Sequence, residues 1–522
     1  MPGRPPFYIT TPIYYVNDVP HIGHAYTTIA CDVMARFKRL DGNNVKFLTG
    51  TDEHGQKVEK SATAAGISPQ DFTDKVSQNF RDLTRLLHVS NDDFIRTTER
   101  RHVKSVQALW ERLVESGNIY LGSYSGWYSV RDEAYYTEDE LRDGPGGKKI
   151  APTGAEVEWV EEPSYFFRLS AWQEKLLALY ESVPDFIQPA GKRSEVMSFV
   201  KGGLKDLSVS RTTFGWGIPV PNDEKHVMYV WLDALTNYIT AVGYPNTAPG
   251  TPFDTFWPAA HHVIGKDILR FHTVFWPAFL MAAGLEPPRR VFVHGWWTIE
   301  GEKMSKSLGN VVAPAELLEK YGLDQTRYFL MREIPFGNDG DFSHKAMIQR
   351  INGELANDYG NLVQRVLSMV QKNCAAAVPQ KGELLEADRK LLGSAQSLLA
   401  TLRAEFGAFA YHKALDAIWQ VIGDANRYVD EQAPWALKKT DPTRMNTVLW
   451  VLAETIRHVA ILTQPFMPDA SGRILDQLTV SPFAREFRHL EDGPLVPGTP
   501  LPPPQGVFPR IVEPAAGEGA SA

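Results

Sequence analysis

Cysteine is nearly absent: Cys31 and Cys374 are the only two in 522 residues, far apart and each within a helix-like stretch. Two distant thiols exclude a disulfide framework and a cysteine zinc knuckle, and they fit a reducing cytoplasm where both serve as small buried hydrophobes. Long apolar runs are missing as well. The longest mostly apolar stretch, around residues 275–284, is too short and too interrupted to span a bilayer. No apolar segment precedes the strand-like sequence that begins by Phe7, so no targeting segment is expected. Positive charge is not in excess either. The net charge of −8 is unlike that of most polyanion binders, although local arrangement of charge outweighs the global sum. What is present, 43% hydrophobic and 22% charged residues, is the composition of a globular protein too long for one compact core.

Periodicity divides the chain. FYITTPIYY (7–15) is β-branched and aromatic, and Pro20 suits the first turn of a helix. Ile22, Tyr26, Ile29, Val33, Phe37 and Leu40 then recur at helical spacing, and Asp41-Gly42 ends the helix. VKFLTG (45–50) reads as a buried strand, a third strand follows near 94–97, and a helix runs from about His102 to Ser116. Strands alternating with helices predict a doubly wound parallel sheet. From 118 to 212 the rhythm breaks into Tyr, Trp and turn residues, as in an insertion. It resumes with HHVIG (261–265) and RRVFVHG (289–295). Amphipathic stretches at 352–373, 384–406, 411–430 and 445–464 predict a helical bundle. The Pro-, Gly- and Ala-rich end, from 494, reads as extended or mobile.

Two clusters carry phosphate chemistry. His21-Ile22-Gly23-His24 falls where the first strand enters its helix. Its two histidines share one side of a first turn whose free N–H groups and dipole favour an anion, and Gly23 leaves room for a ligand. Taken alone, such histidines serve equally as helix caps or metal ligands. Lys303-Met304-Ser305-Lys306-Ser307, followed by Leu308-Gly309-Asn310, makes a cationic loop able to close over phosphates. Taken alone, it is also a solvated basic turn.

Together the two motifs flank an interrupted α/β fold, and the chain resembles the class I aminoacyl-tRNA synthetases, whose HIGH and KMSKS signatures are present in full. The runs TTPIYYVNDVPHIGH, LTGTDEHG, YVWLDALTNY, IGKDILRFH and the NVV after KMSKS resemble the methionyl-specific branch of that family. The resemblance implies a methionine pocket of Ile13, Tyr15, Asp52, Trp231, Ala234, Leu235, Tyr238, Ile268 and His272. Asp52 would meet the substrate ammonium, and Tyr15 or His272 would hydrogen-bond weakly to sulfur. An aromatic and aliphatic pocket suits a long thioether. By spacing alone, Trp231, Tyr238 and Trp276 are ordinary core.

The resemblance further implies an ATP site of His21, Gly23, His24, Gly265, Asp267 and Lys306. His21, His24, Lys303 and Lys306 would be the catalytic residues, with Mg²⁺ on the phosphates. The substrate carboxylate would attack the α-phosphate in line, so catalysis would be positioning and charge neutralisation. The terminal ribose hydroxyl of tRNA(Met) would then attack the adenylate. Asn361 and Arg365, four apart on one helix face, and Trp435 would read the anticodon by edge hydrogen bonds and stacking. Pro434-Trp435 alone also fits a helix-start anchor packed in the bundle.

The implied fold class is an α/β Rossmann-like doubly wound catalytic domain with an inserted connective-peptide domain, followed by an all-α anticodon-binding bundle. The expected boundaries are 1–117 and 213–300 for the catalytic halves and 118–212 for the insertion. The KMSKS loop and stem-contact region is expected at 301–350, the bundle at 351–493 and the tail at 494–522. Many relatives carry zinc-binding cysteine knuckles in the insertion. Here Ser129 and Asp132 stand at the first such position, so no structural zinc is expected and Trp127, Tyr128, Tyr135 and Tyr136 must pack in its place. A monomer with no membrane partner is expected. The competing readings are a class I synthetase for leucine, valine, isoleucine or cysteine, a nucleotidyltransferase making another acyl-adenylate, and a non-catalytic RNA-binding paralogue. The short insertion, the bundle and the intact motifs weigh against each in turn.

Overall fold

The structure, a computed structural model, describes residues 3–16, 19–304 and 310–512. It divides into two compact units, Pro6–Cys31 with Val45–His294, and Asp32–Asn44 with the chain from Gly295 onward.

The first unit is built on a seven-stranded sheet. Its central strand, Pro6–Thr10, pairs in parallel with Ala260–Gly265, which pairs in parallel with Arg290–His294. Asn44–Asp52 takes Tyr14–Tyr15 on one side and Asp93–Arg96 on another stretch, both parallel. The run at 7–15 is therefore two strands rather than one. Thr11 turns the chain, its N–H donating to the Leu48 carbonyl (3.1 Å) and its hydroxyl to the Pro12 carbonyl (2.8 Å), and Pro12 has no N–H to continue a ladder. The helix Ile22–Leu40 runs as its periodicity predicts, with Ile22, Tyr26, Ile29, Val33 and Phe37 buried.

The inserted region differs from its expected span. A long antiparallel pair, Ile119–Ser129 with Glu156–Phe167, forms its spine, and short strands at Ala134–Tyr136, Lys149–Ile150 and Leu207–Ser208 flank it. Ile187–Gln188, however, pairs in parallel with Arg290–His294 and belongs to the seven-stranded sheet. The helices on either side, Gln173–Ser182 and Ala190–Lys201, bury Leu176, Tyr180, Val196 and Val200 in the same core as Leu48 and Ile95. The catalytic fold thus resumes inside the stretch read as insertion, because a two-residue strand has no period to detect.

In the second unit, Trp297–Ile299 pairs antiparallel with Glu302–Lys303 and parallel with Gly340–Phe342. Glu300 and Gly301 join the hairpin with φ of 49° and 83°, the two positive values that a two-residue type I′ turn demands. Asp341 ties the turn down, accepting from Gly301 N–H (2.8 Å) and the Thr298 hydroxyl (2.6 Å). The KMSKS sequence leaves this hairpin directly. Residues 305–309, and with them Lys306, lie outside the described residues, as does the side chain of Lys303.

Helices Asn361–Asn373, Glu386–Gly407, Tyr411–Gln432 and Pro442–Thr463 then form the bundle. Asp388, fully buried, accepts from both ends of Arg444 (2.6 and 2.7 Å) and from the Tyr428 hydroxyl (2.5 Å). The tail is extended but, up to Val512, pinned. Leu495 N–H donates to Glu454 (2.9 Å), Ala377 bridges to Pro500, Ile511 N–H donates to Asn352 (2.8 Å), and Val507 and Phe508 are buried. Four apolar residues among the prolines anchor what composition alone reads as mobile.

A fully buried pair locks this unit internally. Arg327 donates to the Phe466 and Pro465 carbonyls (2.9 Å each) and meets Asp32 at 2.7 Å, with both side chains inaccessible to solvent. Asp32 also accepts Arg36 (2.7 Å), so loss of Arg327 leaves it a counter-ion, whereas loss of Asp32 leaves the buried Arg327 without its carboxylate. Asp32→Ala is expected to cost about 3–5 kcal/mol in urea unfolding, more than Asp32→Asn together with Arg327→Met, in which the buried guanidinium is removed as well.

Candidate active site and RNA-reading face

The first unit gathers its chemistry at the carboxyl ends of the parallel strands, where open α/β sheets bind ligands. His21 precedes the helix Ile22–Leu40, and its Nδ1 accepts the Gly23 N–H at 3.1 Å, so it does cap the first turn. His24 returns the contact, its Nδ1 accepting from His21 N–H at 3.1 Å, with the two rings 3.9 Å apart. Burial and the neighbouring His21 ring push His24 well below the ordinary histidine range, leaving it neutral, a hydrogen-bonding group rather than a fixed charge. Gly23 is small for a reason the sequence reading did not supply: a Cβ there would lie 2.9 Å from the His21 ring.

Gly265 ends its strand beneath Asp267, whose carboxylate oxygen would sit 2.4 Å from any Cβ at that position. Beside it His294, at the end of its own strand, contacts the Thr27 hydroxyl (2.7 Å), and that hydroxyl donates to the Gly23 carbonyl (3.2 Å). His294 was not singled out from sequence. The signal was there, since it closes the strand RRVFVHG at the end where ligands bind.

Most of the residues expected to form the amino-acid pocket lie in or beside an aromatic network. Tyr238 and His272 Nε2 hydrogen-bond at 2.7 Å, and His272 Nδ1 contacts the Ile268 carbonyl at 3.1 Å. A proton on Nδ1 satisfies both contacts, so Nε2 accepts from the phenol. Burial pushes His272 down to about 4, which keeps the ring neutral. Tyr238 stacks on His262 at 4.0 Å, His262 contacts Thr10 (2.9 Å), and Trp276 Nε1 donates to His262 (3.3 Å). Trp231 stacks on Phe271 at 3.7 Å, with Ala234 and Leu235 buried one turn further along its helix and Ile13 and Ile268 half-buried against the same core. The two groups expected to hydrogen-bond weakly to sulfur each have a protein partner here. Both His272 nitrogens are engaged, and Tyr15 donates to Glu133 at 2.6 Å. The groups left to face a thioether are ring faces and alkyl surfaces.

Asp52 is the outlier. It is buried, it pairs in register with Tyr15, and its Oδ1 has no hydrogen-bond partner among the described residues. Its acidic neighbours are each balanced. Asp233 lies between His54 (2.6 Å) and His102 (2.7 Å), and Glu53 receives Arg96 (2.7 and 3.0 Å) and the Thr98 hydroxyl (2.6 Å). Burial, then the fields of Asp233, Glu133 and Glu53, hold the Asp52 carboxyl well above the usual range. A buried carboxylate among acids, with one oxygen unmatched, is what an arriving ammonium completes.

The knuckle position is closed by hydrogen bonds. Asp132 N–H donates to Ser129 Oγ (3.2 Å), and the Asp132 carboxylate accepts from Tyr136 (3.0 Å), Arg131 (3.1 Å) and Thr153. Trp127, Tyr136 and Leu141 cover Ala151, Ala155 and Val157 beneath it.

In the bundle, Asn361 is exposed at the head of its helix and Arg365, one turn on, reaches Asp430 at 3.0 Å. Pro434 is buried, whereas Trp435 is 51% exposed, so the proline anchors and the indole is presented.

Residues 7–367 match the family model described as tRNA synthetases class I (M), and residues 378–518 match that of the anticodon binding domain of methionyl tRNA ligase. The methionine–tRNA ligases of Mesorhizobium japonicum and Rhizobium meliloti are 59% and 60% identical, each over 98% of this chain and 99% of the relative. The solved methionyl-tRNA synthetase of Mycobacterium tuberculosis in complex with methionyl-adenylate superposes with a TM-score of 0.95 at 53% identity, over 97% of this chain and 100% of that one.

An Asp52 carboxyl whose folded pKa is raised costs stability above its unfolded pKa, near 3.9, and nothing below it. Asp52→Asn is therefore expected to raise the thermal midpoint of the ligand-free protein at pH 7–8. That gain should vanish on acidification. An unchanged or lowered midpoint at pH 8 contradicts the assignment.

Proposed function

The chain belongs to the methionyl-tRNA synthetases of class I, and we propose how its own residues divide the two chemical steps. It is a methionine–tRNA ligase: ATP activates L-methionine to methionyl-adenylate with release of pyrophosphate, and the methionyl group passes to the 3′-terminal ribose of tRNA(Met). The observation that carries the residue assignment is the unmatched, buried Asp52 carboxylate beside an aromatic wall. Asp52 takes the substrate ammonium. Trp231, Tyr238 and His272, with Ile13, Tyr15, Ala234, Leu235 and Ile268, enclose the thioether side chain, by dispersion and sulfur–aromatic contact rather than a hydrogen bond to sulfur.

His21, Gly23 and His24 bind the triphosphate at the start of their helix, and Gly265 and Asp267 receive the adenosine. Mg²⁺ accompanies ATP, its ligands of choice being phosphate oxygens. Lys303 and Lys306 neutralise charge that develops on the phosphates as the methionine carboxylate attacks the α-phosphorus. His24, held neutral, donates or accepts a hydrogen bond there without adding charge. No structural zinc is proposed, because Ser129 and Asp132 are poor zinc ligands and Asp132 is already spent on Tyr136, Thr153 and Arg131. Asn361, Arg365 and Trp435 read the anticodon, the last by stacking. We place the enzyme in the cytoplasm, in keeping with its two free cysteines, as a monomer, for which light scattering should give 58.5 kDa. Among the described residues no helix is long and apolar enough to cross a membrane.

ATP–pyrophosphate exchange without tRNA, run against each of the twenty amino acids, is expected to respond to methionine alone. A response to another amino acid overturns the pocket assignment. Lys306→Ala should slow adenylate formation on the order of 10²-fold in single-turnover measurements, and near-wild-type activation overturns its role. Trp435→Ala should leave exchange intact while weakening tRNA aminoacylation by about 1–3 kcal/mol in kcat/KM. Equal damage to both reactions would identify a folding defect instead.

A further inference from the structure

Tyr15 does not hold its position alone. Its hydroxyl donates to Glu133 Oε1 at 2.6 Å, and Glu133 belongs to the inserted antiparallel sheet, in the turn between Ile119–Ser129 and Ala134–Tyr136. Three independent features fix that carboxylate. Glu133 sits at φ 49°, a left-handed conformation rare for a residue with a side chain and costly unless the surroundings demand it. Its carbonyl accepts the Tyr229 hydroxyl at 3.0 Å, and its carboxylate accepts the Lys57 N–H at 3.4 Å. Gly55, at φ 115°, leaves the space the carboxylate fills, since a Cβ there would lie 2.3 Å from Glu133 Oε1. Two strained or side-chain-free backbone positions on separate elements therefore serve one contact with one tyrosine.

We propose that Glu133 is a positioning residue for methionine binding: by accepting the Tyr15 hydroxyl hydrogen it holds that ring in one orientation beside Asp52, so the inserted sheet helps set the affinity for the amino acid. The proposal rests on Tyr15 belonging to the methionine pocket. An acceptor that favours the binding orientation of the ring reduces the rotamer entropy lost on binding, which lowers KM and leaves the chemical step alone.

The charged and titratable groups that face Glu133 are Tyr15, Asp52, Lys57, Tyr128, Arg211 and Tyr229. Arg211 stands inside a cage of Tyr124, Tyr128, Tyr135 and Tyr229 rings, 4.1–5.8 Å from their centres, and supplies the nearest field of a buried cation. Burial pushes the Glu133 carboxyl up to about 7, so the strength of its hold on Tyr15 changes near neutral pH. Above that value the carboxylate accepts from Tyr15 as an ion, and below it the contact weakens to a neutral one.

The test is methionine-dependent ATP–pyrophosphate exchange by the full-length enzyme, with Glu133→Ala, Glu133→Gln, Tyr15→Phe and the double variant Glu133→Ala/Tyr15→Phe. Glu133→Ala is expected to raise KM for methionine about tenfold or more, the scale of a lost hydrogen bond to a charged group, with kcat and KM for ATP moving much less. Tyr15→Phe should do the same, and the double variant should be no worse than the weaker single one. Glu133→Gln, which keeps an acceptor of equal length, should recover most of the affinity. It should also lack the fall in KM expected of the wild type as pH rises through about 7. Removing the Glu133 charge also relaxes the field that holds the Asp52 carboxyl up, so the wild-type profile is compared as well with that of Tyr15→Phe, in which both acids titrate and only the contact is missing. An unchanged KM in Glu133→Ala, or additive effects in the double variant, overturns the latch. Glu133→Gln answers the question through its pH profile should Glu133→Ala fail to fold. A wild type that exchanges with no methionine at all would overturn the pocket reading itself, a result distinct from failure of the latch.

Discussion

A buried carboxyl with one oxygen unmatched among the described residues is the constraint around which the first unit is arranged. The strand Asn44–Asp52 carries the Asp52 carboxylate to the ligand-binding end of the sheet, and every nearby acid already has its own partners: Asp233 between two histidines, Glu53 clamped by Arg96. That leaves Asp52 as the one oxygen in the cluster with a demand unmet, and its cost is borne by the rest of the core. Functional sites keep such costs because a ligand removes them. An ammonium entering here gains a counter-ion in a medium of low dielectric, where the attraction is far stronger than in water.

The aromatic wall follows the same logic with the opposite chemistry. Tyr238 bonds to His272 and His272 to the Ile268 carbonyl, His262 bonds to Thr10 and Trp276, and the two groups stack through Tyr238 and His262. A wall whose polar groups are engaged with one another favours an apolar side chain over an isosteric polar one, whose groups it would leave unmatched. The inserted sheet contributes from outside this wall. Hydrogen bonds around Asp132 close the turn where a metal would sit in a cysteine-bearing relative, and the Arg211 cage and Glu133 extend that order to Tyr15.

Much of this was legible in the sequence, and the parts that were not fail for identifiable reasons. The helix Ile22–Leu40 declared itself through six apolar residues at helical spacing, and the bundle helices did so within a few residues at each end once the π-helical stretch Ile351–Gly360 that leads into Asn361–Asn373 is counted. The strand Ile187–Gln188 could not, since two residues have no period, and its neighbouring helices were taken with the insertion in consequence. The order of the tail depends on Leu495, Leu501, Val507 and Phe508 finding cover, which a composition dominated by proline hides. At the site, the motifs named His21, His24, Asp52 and the aromatic residues. They said nothing of which atoms were already engaged: that His272 has no free nitrogen, that Gly23 yields to the ring of His21, or that Glu133 holds Tyr15. These are contacts between elements far apart in the chain, set by packing rather than by any local pattern.

The central claim is that Asp52, its carboxyl held above the usual range and its Oδ1 without a hydrogen-bond partner among the described residues, receives the ammonium of methionine. Calorimetric titration of methionine into the ligand-free enzyme at pH 7, repeated in buffers of different ionisation enthalpy, tests it most directly. The account predicts that Asp52→Asn loses most of the affinity, and that any dependence of the wild-type enthalpy on the buffer has the sense of proton release, grows as the pH is lowered and is absent from Asp52→Asn. Binding of methionine by Asp52→Asn as tight as by the wild type would contradict it.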